Sequence, residues 1–259
     1  MRSQAGVTIA IPNWNHEVLL PRSVLSALRA VALLRERGVP GEVLVVDDFS
    51  RDGSQTLLRQ LEAMYHKDGF RLLSFADNAG LVAGRNQALI HARYRYINFL
   101  DADNELIPEN LHTLVEALVR TKATAAYGNL LMRSPSASHA HNVLNNESIQ
   151  SKIFKGNYVD ALAVLDRLQL IDAGGYEASC PAWEDYELWL HLVTNGHRVV
   201  FVPVVLGYYY ILPSSMSQDY ETHKALEARI KRIFDQMSVR KSTKINSLNL
   251  KYHPAIGHL

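Results

Sequence analysis

Short apolar runs alternate with amphipathic helical segments through the N-terminal part of the chain, and this alternation most restricts the fold. Residues 7–12, 42–48, 70–75 and 96–100 read as buried strands, with Val43, Leu44, Val45 and Val46 in unbroken succession. Residues 17–37, 55–66 and 83–94 carry helical periodicity, the first stopped by Gly38. Strands joined through helices pair in parallel by right-handed crossovers and are covered on both faces. The expected class is therefore α/β, with a Rossmann-like, mainly parallel sheet flanked by helices.

After Pro108 the pattern changes. A helix over 109–120 precedes a strand over 125–133, and the Ser/Asn/His-rich stretch 134–151 reads as a loop. Helices are expected over 164–173, ending at Gly174-Gly175, and over 183–195, stopped by Gly196. Two strands, 198–203 and 205–212, precede a C-terminal amphipathic helix over 219–237 and a polar tail. A chain of 259 residues fits one large domain or two fused halves. The divisions expected are 1–104, 105–218, and 219–259 for the C-terminal helix and tail.

The net charge of +1 gives no general attraction to nucleic acid. Basic residues outnumber acidic ones from Lys224 onward, so the C-terminal segment is a candidate for peripheral membrane contact, although a solvated helix face explains it as well. No apolar run approaches the ~20 residues needed to span a bilayer. The single cysteine, Cys180, excludes an intrachain disulfide, and the N-terminus carries no signal-peptide pattern. The expected location is cytoplasmic.

Chemistry collects at the strand ends. The fourth strand runs into Asp101-Ala102-Asp103, whose two carboxylates, spaced i and i+2, share one side of the backbone. In open α/β sheets ligands bind at the carboxyl ends of strands. Two clustered carboxylates there favour a hard cation, Mn²⁺ or Mg²⁺, that takes its other ligands from a diphosphate. An isolated Asp-x-Asp is more often a helix-capping turn, here before Pro108.

Four further features accompany it. The first strand ends in Pro12-Asn13-Trp14-Asn15, where Trp14 is either a base-stacking ring or a core aromatic. The second ends in Asp47-Asp48, of which one carboxylate suits an imino N–H or a ribose hydroxyl and the other a cap. Arg85, in Gly84-Arg85-Asn86, suits a diphosphate, a base or an ordinary salt bridge. Asp185, in Trp183-Glu184-Asp185, shares a helix face with Trp189 and Leu192. Its first-turn position near the positive end of the helix dipole favours the ionised form, which makes it a general-base candidate.

Taken in order, Ile-Pro-Asn-Trp-Asn, Val-Val-Asp-Asp-Phe-Ser-Arg-Asp-Gly, Asn-Ala-Gly, Gly-Arg-Asn, Leu-Asp-Ala-Asp, Gly-Gly-Tyr and Trp-Glu-Asp resemble a family 2, GT-A-type inverting glycosyltransferase over residues 7–217. The resemblance implies a nucleotide-sugar-binding half at 1–104 and a smaller acceptor and catalytic half at 105–218. It implies that Pro12 and Trp14 flank the base and that Asp48 takes the N3–H of a pyrimidine. Arg85 then belongs to the donor site, Asp101 to ribose or metal, Asp103 to the metal as chief protein ligand, and Asp185 is the catalytic base. The implied reaction moves one sugar from a nucleoside-diphosphate sugar, UDP-linked by the Asp48 reading, to a hydroxyl of a carbohydrate or lipid-linked acceptor in polysaccharide biosynthesis.

Two departures stand out. Many relatives carry Tyr-Arg-x-His before a Ser-Met-Ser-like stretch, whereas Tyr210 and Leu212 occupy those places here. The Gln-x-x-Arg-Trp motif of processive synthases is absent. A nucleotidyltransferase would show a glycine-rich phosphate loop after the first strand, and a Rossmann oxidoreductase would show Gly-x-Gly-x-x-Gly there; neither is present. The remaining alternative is a catalytically silent nucleotide-sugar-binding or scaffolding module, which would not need both Asp103 and Asp185.

Overall fold

Every residue of Gly41–Asp47 (β2) is buried, as expected of a strand covered on both faces. The computed structural model describes residues 4–133, 142–145, 148–149, 153–177, 183–212, 252–253 and 257–258. The helix expected at 219–237, the basic C-terminal segment, Ser215-Met216-Ser217, Cys180 and most of the loop 134–151 lie outside them.

Around β2 lie Gln4–Asn13 (β1), Leu20–Glu36 (α1), Ser54–Tyr65 (α2), Phe70–Ser74 (β3), Leu81–His91 (α3) and Tyr94–Phe99 (β4). Then follow Glu105–Leu106 (β5), Leu111–Thr121 (α4), Ala125–Arg133 (β6), Asn142–Leu144 (β7), Ala163–Asp166 (β8), Arg167–Asp172 (α5), Glu184–Thr194 (α6) and Val199–Tyr210 (β9). Among the described residues these strands make one nine-stranded sheet in the order β3-β2-β1-β4-β8-β6-β9-β5, with β7 on β6. The first four strands pair in parallel. β8 pairs antiparallel with both β4 and β6, and β6 pairs parallel with β9.

Strand alternation divides the core. Val7, Ile9 and Ile11 of β1, with Val43 and Val45 of β2, pack against Val24, Val31 and Leu34 of α1, Leu58 of α2 and Leu114 of α4. Ala10, Leu44 and Val46 face the other way, toward Leu89 of α3, Leu170 of α5 and Trp189 of α6. Each fully buried Val, Ile or Leu contributes ~1.5–3 kcal/mol relative to an exposed one. The chain passes from β1 to β2 on one side and returns to β4 on the other, so strand order reverses between β1 and β4. A crevice at their carboxyl ends follows from that reversal.

Three expectations need correction. The segment 164–173 is not one helix: Ala163–Asp166 is a buried strand, and Asp166 caps the short α5 by accepting from Leu168 N and Gln169 N. The cap was legible in the sequence, but the apolar residues before it suit either period. The helix expected from residue 17 starts at Leu20, because Leu19 N and Leu20 N both bond His16 O in a preceding turn and Pro21 suits the first helical turn. The two strands 198–203 and 205–212 are one strand, β9, whose register against β6 shifts between Tyr127 and Leu130. Pro203 lies in that irregular stretch, where a missing N–H is tolerated. Gly128 faces it, and a Cβ there would sit 2.7 Å from Val204 O.

Candidate active site

The chain leaves the sheet at matched points on neighbouring strands. Asp48 N bonds Asn13 O, and Leu100 N bonds Ala10 O, each extending a ladder just before the chain turns away. These bonds place Asp48 and Asp101 at the carboxyl edge, on either side of the end of β1.

Asp47 and Asp48 do different work. Asp47 is fully buried and accepts from Asn13 Nδ2 at 2.8 Å and Ser50 Oγ at 2.6 Å, joining the loops after β1 and β2. Asp48 accepts from Asn78 Nδ2 at 3.0 Å and from the backbone N–H groups of Ala79 and Gly80, both at 2.7 Å. Gly80, at φ 87°, adopts the left-handed backbone that α3's entry requires. Three donors leave a carboxylate one of its roughly four acceptor positions. Pro12 is buried, with Gly84 of α3 above it: a Cβ on Gly84 would come within 3.8 Å of Pro12 Cβ. Trp14 stands at the rim, 51% exposed, and is not a core aromatic.

Arg85 is the centre of the other half. Its guanidinium is 2% exposed, bonds Asp101 Oδ1 at 2.8 Å, and forms a second ion pair with Glu184. Tyr176 lies beneath it, with the ring centroid 5.4 Å away. Burial opposes the charge, but Glu184 and then Asp101 outweigh it, so the pKa is raised well above that of a free arginine. Of the uses open to Arg85 in the sequence, the structure shows ion pairs, a buried one with Glu184 and a part-buried one with Asp101.

Carboxylates converge around that cation. Asp103 is pushed up to about 7, first by burial and then by Asp101, with Arg22 opposing. Asp160 is also pushed up to about 7, by burial and then Asp101. Its backbone N–H bonds Asn145 Oδ1, and its Oδ1 accepts from Leu162 N, each at 2.8 Å. Asp185 Oδ1 accepts from its neighbour Tyr186 N at 2.6 Å and from Asn157 Nδ2 at 3.2 Å. Burial, then Glu184 and Asp160, raise the Asp185 pKa well above the ordinary range. Burial and the neighbouring carboxylates thus work against the ionised form that the first-turn position favours.

Among the described residues no group of three or more His, Cys, Asp or Glu side chains is arranged to hold an ion. Asp101 and Asp103 still fit a hard cation that draws its other ligands from a bound molecule. Both offer oxygen, and Asp103 makes no ion pair among the described residues.

The structure thus gathers Arg85, Asp101, Asp103 and Asp185 into one cluster at the carboxyl edge of the sheet, with Asp48 and Pro12 along the neighbouring edge and Trp14 exposed beside them. Sequence reasoning did not single out Glu184, and it marked Asp160 only as the end of the segment 157–160 expected to shape acceptor choice. Glu184 sat inside the Trp-Glu-Asp motif, whereas Asp160 carries no local pattern and reaches the cleft through the β7–β8 connection. His16 was also missed; burial lowers its pKa, although Asp101 and Asp52 pull the other way. No described helix is long and apolar enough to cross a membrane.

Comparison with known proteins agrees with this architecture. WfgD of Escherichia coli, a UDP-Glc:alpha-D-GlcNAc-diphosphoundecaprenol beta-1,3-glucosyltransferase, is 26% identical over 215 residues, spanning 82% of this chain and 80% of that protein. TuaG of Bacillus subtilis, a putative teichuronic acid biosynthesis glycosyltransferase by name, is 26% identical over 218 residues, spanning 82% of each. The crystal structure of S. aureus TarS 1–349 with UDP-GlcNAc superposes with a TM-score of 0.68 at 16% identity, covering 96% of this chain and 76% of that one. The Pyrobaculum calidifontis mannosyltransferase PcManGT, with GDP-Man and Mn²⁺, gives 0.65 at 19% identity, covering 93% and 66%. These structural likenesses establish the GT-A fold. A family model described as Glycosyl transferase family 2 matches residues 8–174, more than half of the sequence, and the chain belongs to that family.

Proposed function

We propose that this chain is a metal-dependent, inverting glycosyltransferase that moves one sugar from a UDP-linked donor to an acceptor hydroxyl in glycan assembly. The observation that carries the reading is Arg85, whose buried guanidinium joins Asp101 on the strand-end side to Glu184, the neighbour of Asp185, on the helix side. Donor and base groups are thereby held in one frame.

In this reading Pro12 and Trp14 border the base, and Asp48 accepts its imino hydrogen at the remaining acceptor position. A cation on Asp101 and Asp103 would neutralise the charge that builds on the departing diphosphate. Asp185 takes the proton of the acceptor hydroxyl as its oxygen bonds the anomeric carbon. The bond from that carbon to phosphate breaks, and the nucleoside diphosphate leaves with the electron pair. Attack opposite the leaving group inverts the centre. The charge of Arg85 favours the base form of Asp185. Asn157 orients Asp185 from the acceptor side.

The names of the relatives support the donor class: WfgD is named for UDP-Glc, and TarS was crystallised with UDP-GlcNAc. PcManGT was crystallised with GDP-Man, so the fold also accepts a purine nucleotide and the preference for uridine rests on Asp48. Membership of the family leaves metal use and stereochemistry to experiment. The test is a panel of nucleotide sugars with Mn²⁺, Mg²⁺ or a chelator, followed by release of nucleoside diphosphate and by the anomeric configuration of product. Turnover undiminished by chelator, or a retained configuration, overturns the corresponding part.

A further inference from the structure

Arg22 lies in the first turn of α1 and reaches back to the Asp-x-Asp turn, where its Nη2 donates to the backbone carbonyl of Asp103. Its guanidinium carbon sits 3.5 Å from the centroid of the Tyr210 ring. That ring is fixed at both ends: Tyr210 N bonds Asn104 Oδ1 at 3.1 Å, and Tyr210 OH donates to Glu105 Oε2 at 2.9 Å. An aromatic face at this distance sets the plane of the guanidinium and stabilises its charge.

The rest of Arg22 is unspent. Its Nε is buried with no hydrogen-bond partner, and no carboxylate side chain pairs with it among the described residues. Arg85, by contrast, is closed in and committed to Asp101 and Glu184. His16 is held toward its neutral form by burial. Beside Asp103, then, stands a pre-oriented guanidinium that acts on the Asp103 carboxyl through space and forms no ion pair among the described residues.

We infer that Arg22, braced on Tyr210, binds the diphosphate of the donor through charge-assisted hydrogen bonds to its oxygens. This rests on the nucleotide-sugar reading above and moves the arginine contact with diphosphate from Arg85 to Arg22. Arg85 then acts as a positioning residue for Asp101 and Glu184.

The test compares UDP with uridine in the presence of Mn²⁺, by calorimetry and competition, for the wild-type protein and Arg22→Gln, Arg22→Lys, Tyr210→Leu and Arg29→Gln. Hydrogen bonds to charged groups of this kind correspond to ~10–100-fold in affinity. Arg22→Gln is expected to weaken UDP by about that factor and leave uridine unchanged. Arg22→Lys keeps the charge without the planar fork and recovers part of the loss. Tyr210→Leu removes the brace and weakens UDP by a smaller factor. Arg29→Gln removes a charge from the outer face of the same helix, where Arg29 pairs with Glu109, and leaves UDP binding intact.

Wild-type affinity for UDP in folded Arg22→Gln, or an equal loss for UDP and uridine, overturns the inference. Should Arg22→Gln not fold, wild-type UDP affinity in both Arg22→Lys and Tyr210→Leu overturns it instead. A wild-type protein that binds no nucleoside diphosphate defeats the donor reading itself, and this inference with it. Wild-type binding of UDP with unaffected Arg22 variants defeats the role of Arg22 alone.

Discussion

Arg85 and Glu184 are separated by 99 residues in sequence, yet their side chains, 2% and 4% exposed, form a buried ion pair that joins the start of α3 to the start of α6. Because Arg85 also holds Asp101, the pair sets the distance between the two halves of the cleft. Removing one partner leaves the other as an uncompensated buried charge, which typically costs ~3–5 kcal/mol. Arg85→Met should lower stability to denaturant by about that amount. The double variant Arg85→Met/Glu184→Leu should recover much of the stability and none of the transferase activity. A double variant that turns over normally would show the pair to be scaffolding only.

Asp103→Ala should abolish the Mn²⁺ dependence of nucleoside diphosphate binding while the protein stays folded, because of the two Asp-x-Asp carboxylates Asp101 is paired with Arg85 and Asp103 makes no ion pair among the described residues. Titrations with and without Mn²⁺ decide this. Unaltered metal dependence in the variant means that the cation is held elsewhere.

Asp48 should select a base that carries an imino hydrogen. UDP is expected to bind more tightly than CDP, whose ring nitrogen accepts where uracil donates. Equal affinities would limit Asp48 to the loop-fastening role seen with Asn78, Ala79 and Gly80.

Asp185→Asn keeps the size of the side chain and removes its basic oxygen. General-base catalysis contributes ~10²–10⁴-fold, so kcat should fall by about that factor with donor affinity retained. A variant with unchanged kcat assigns proton transfer to another group, and Asp160 is then the first to examine.

The contribution of Asp160 to the stability of the ligand-free protein should fall as pH rises from about 4 to about 7. Asp160 is raised to about 7 in the folded state, above its unfolded value near ~4. Between those values the folded protein holds a proton that the unfolded chain has released. Its contribution is therefore fully present at the acid end and is lost as pH rises through the folded pKa. Asp185 acts in the same sense. Asp160→Asn should flatten the slope in urea melts without divalent ions, and an unchanged slope would refute the assignment.

The parallel half of the sheet was legible because its inner strands are largely buried on both faces and read as near-continuous apolar runs. Val43 to Val46 admits no amphipathic alternative. The mixed half was less legible. Ala163 to Leu165 reads as helix or strand by hydrophobicity alone, and its pairing with both β4 and β6 is what makes it a strand. β9 was divided at Pro203 because a bulge and a break look the same in one dimension.

The same division runs through the site. The sequence by itself determined which groups stand at the strand ends, since Asp48 and Asp101 follow directly from the ladders that precede them. It also determined the family, because the motifs are local and ordered along the chain. Only the tertiary structure decided the partners of those groups and how deeply each is buried. Arg85 meets Glu184, Asp160 reaches the cleft, and Arg22 lies on Tyr210 through contacts between segments far apart in the chain. Their energies come from burial and from Coulomb interactions, which depend on distance in space and on the solvent excluded, and neither is a property of neighbours in sequence.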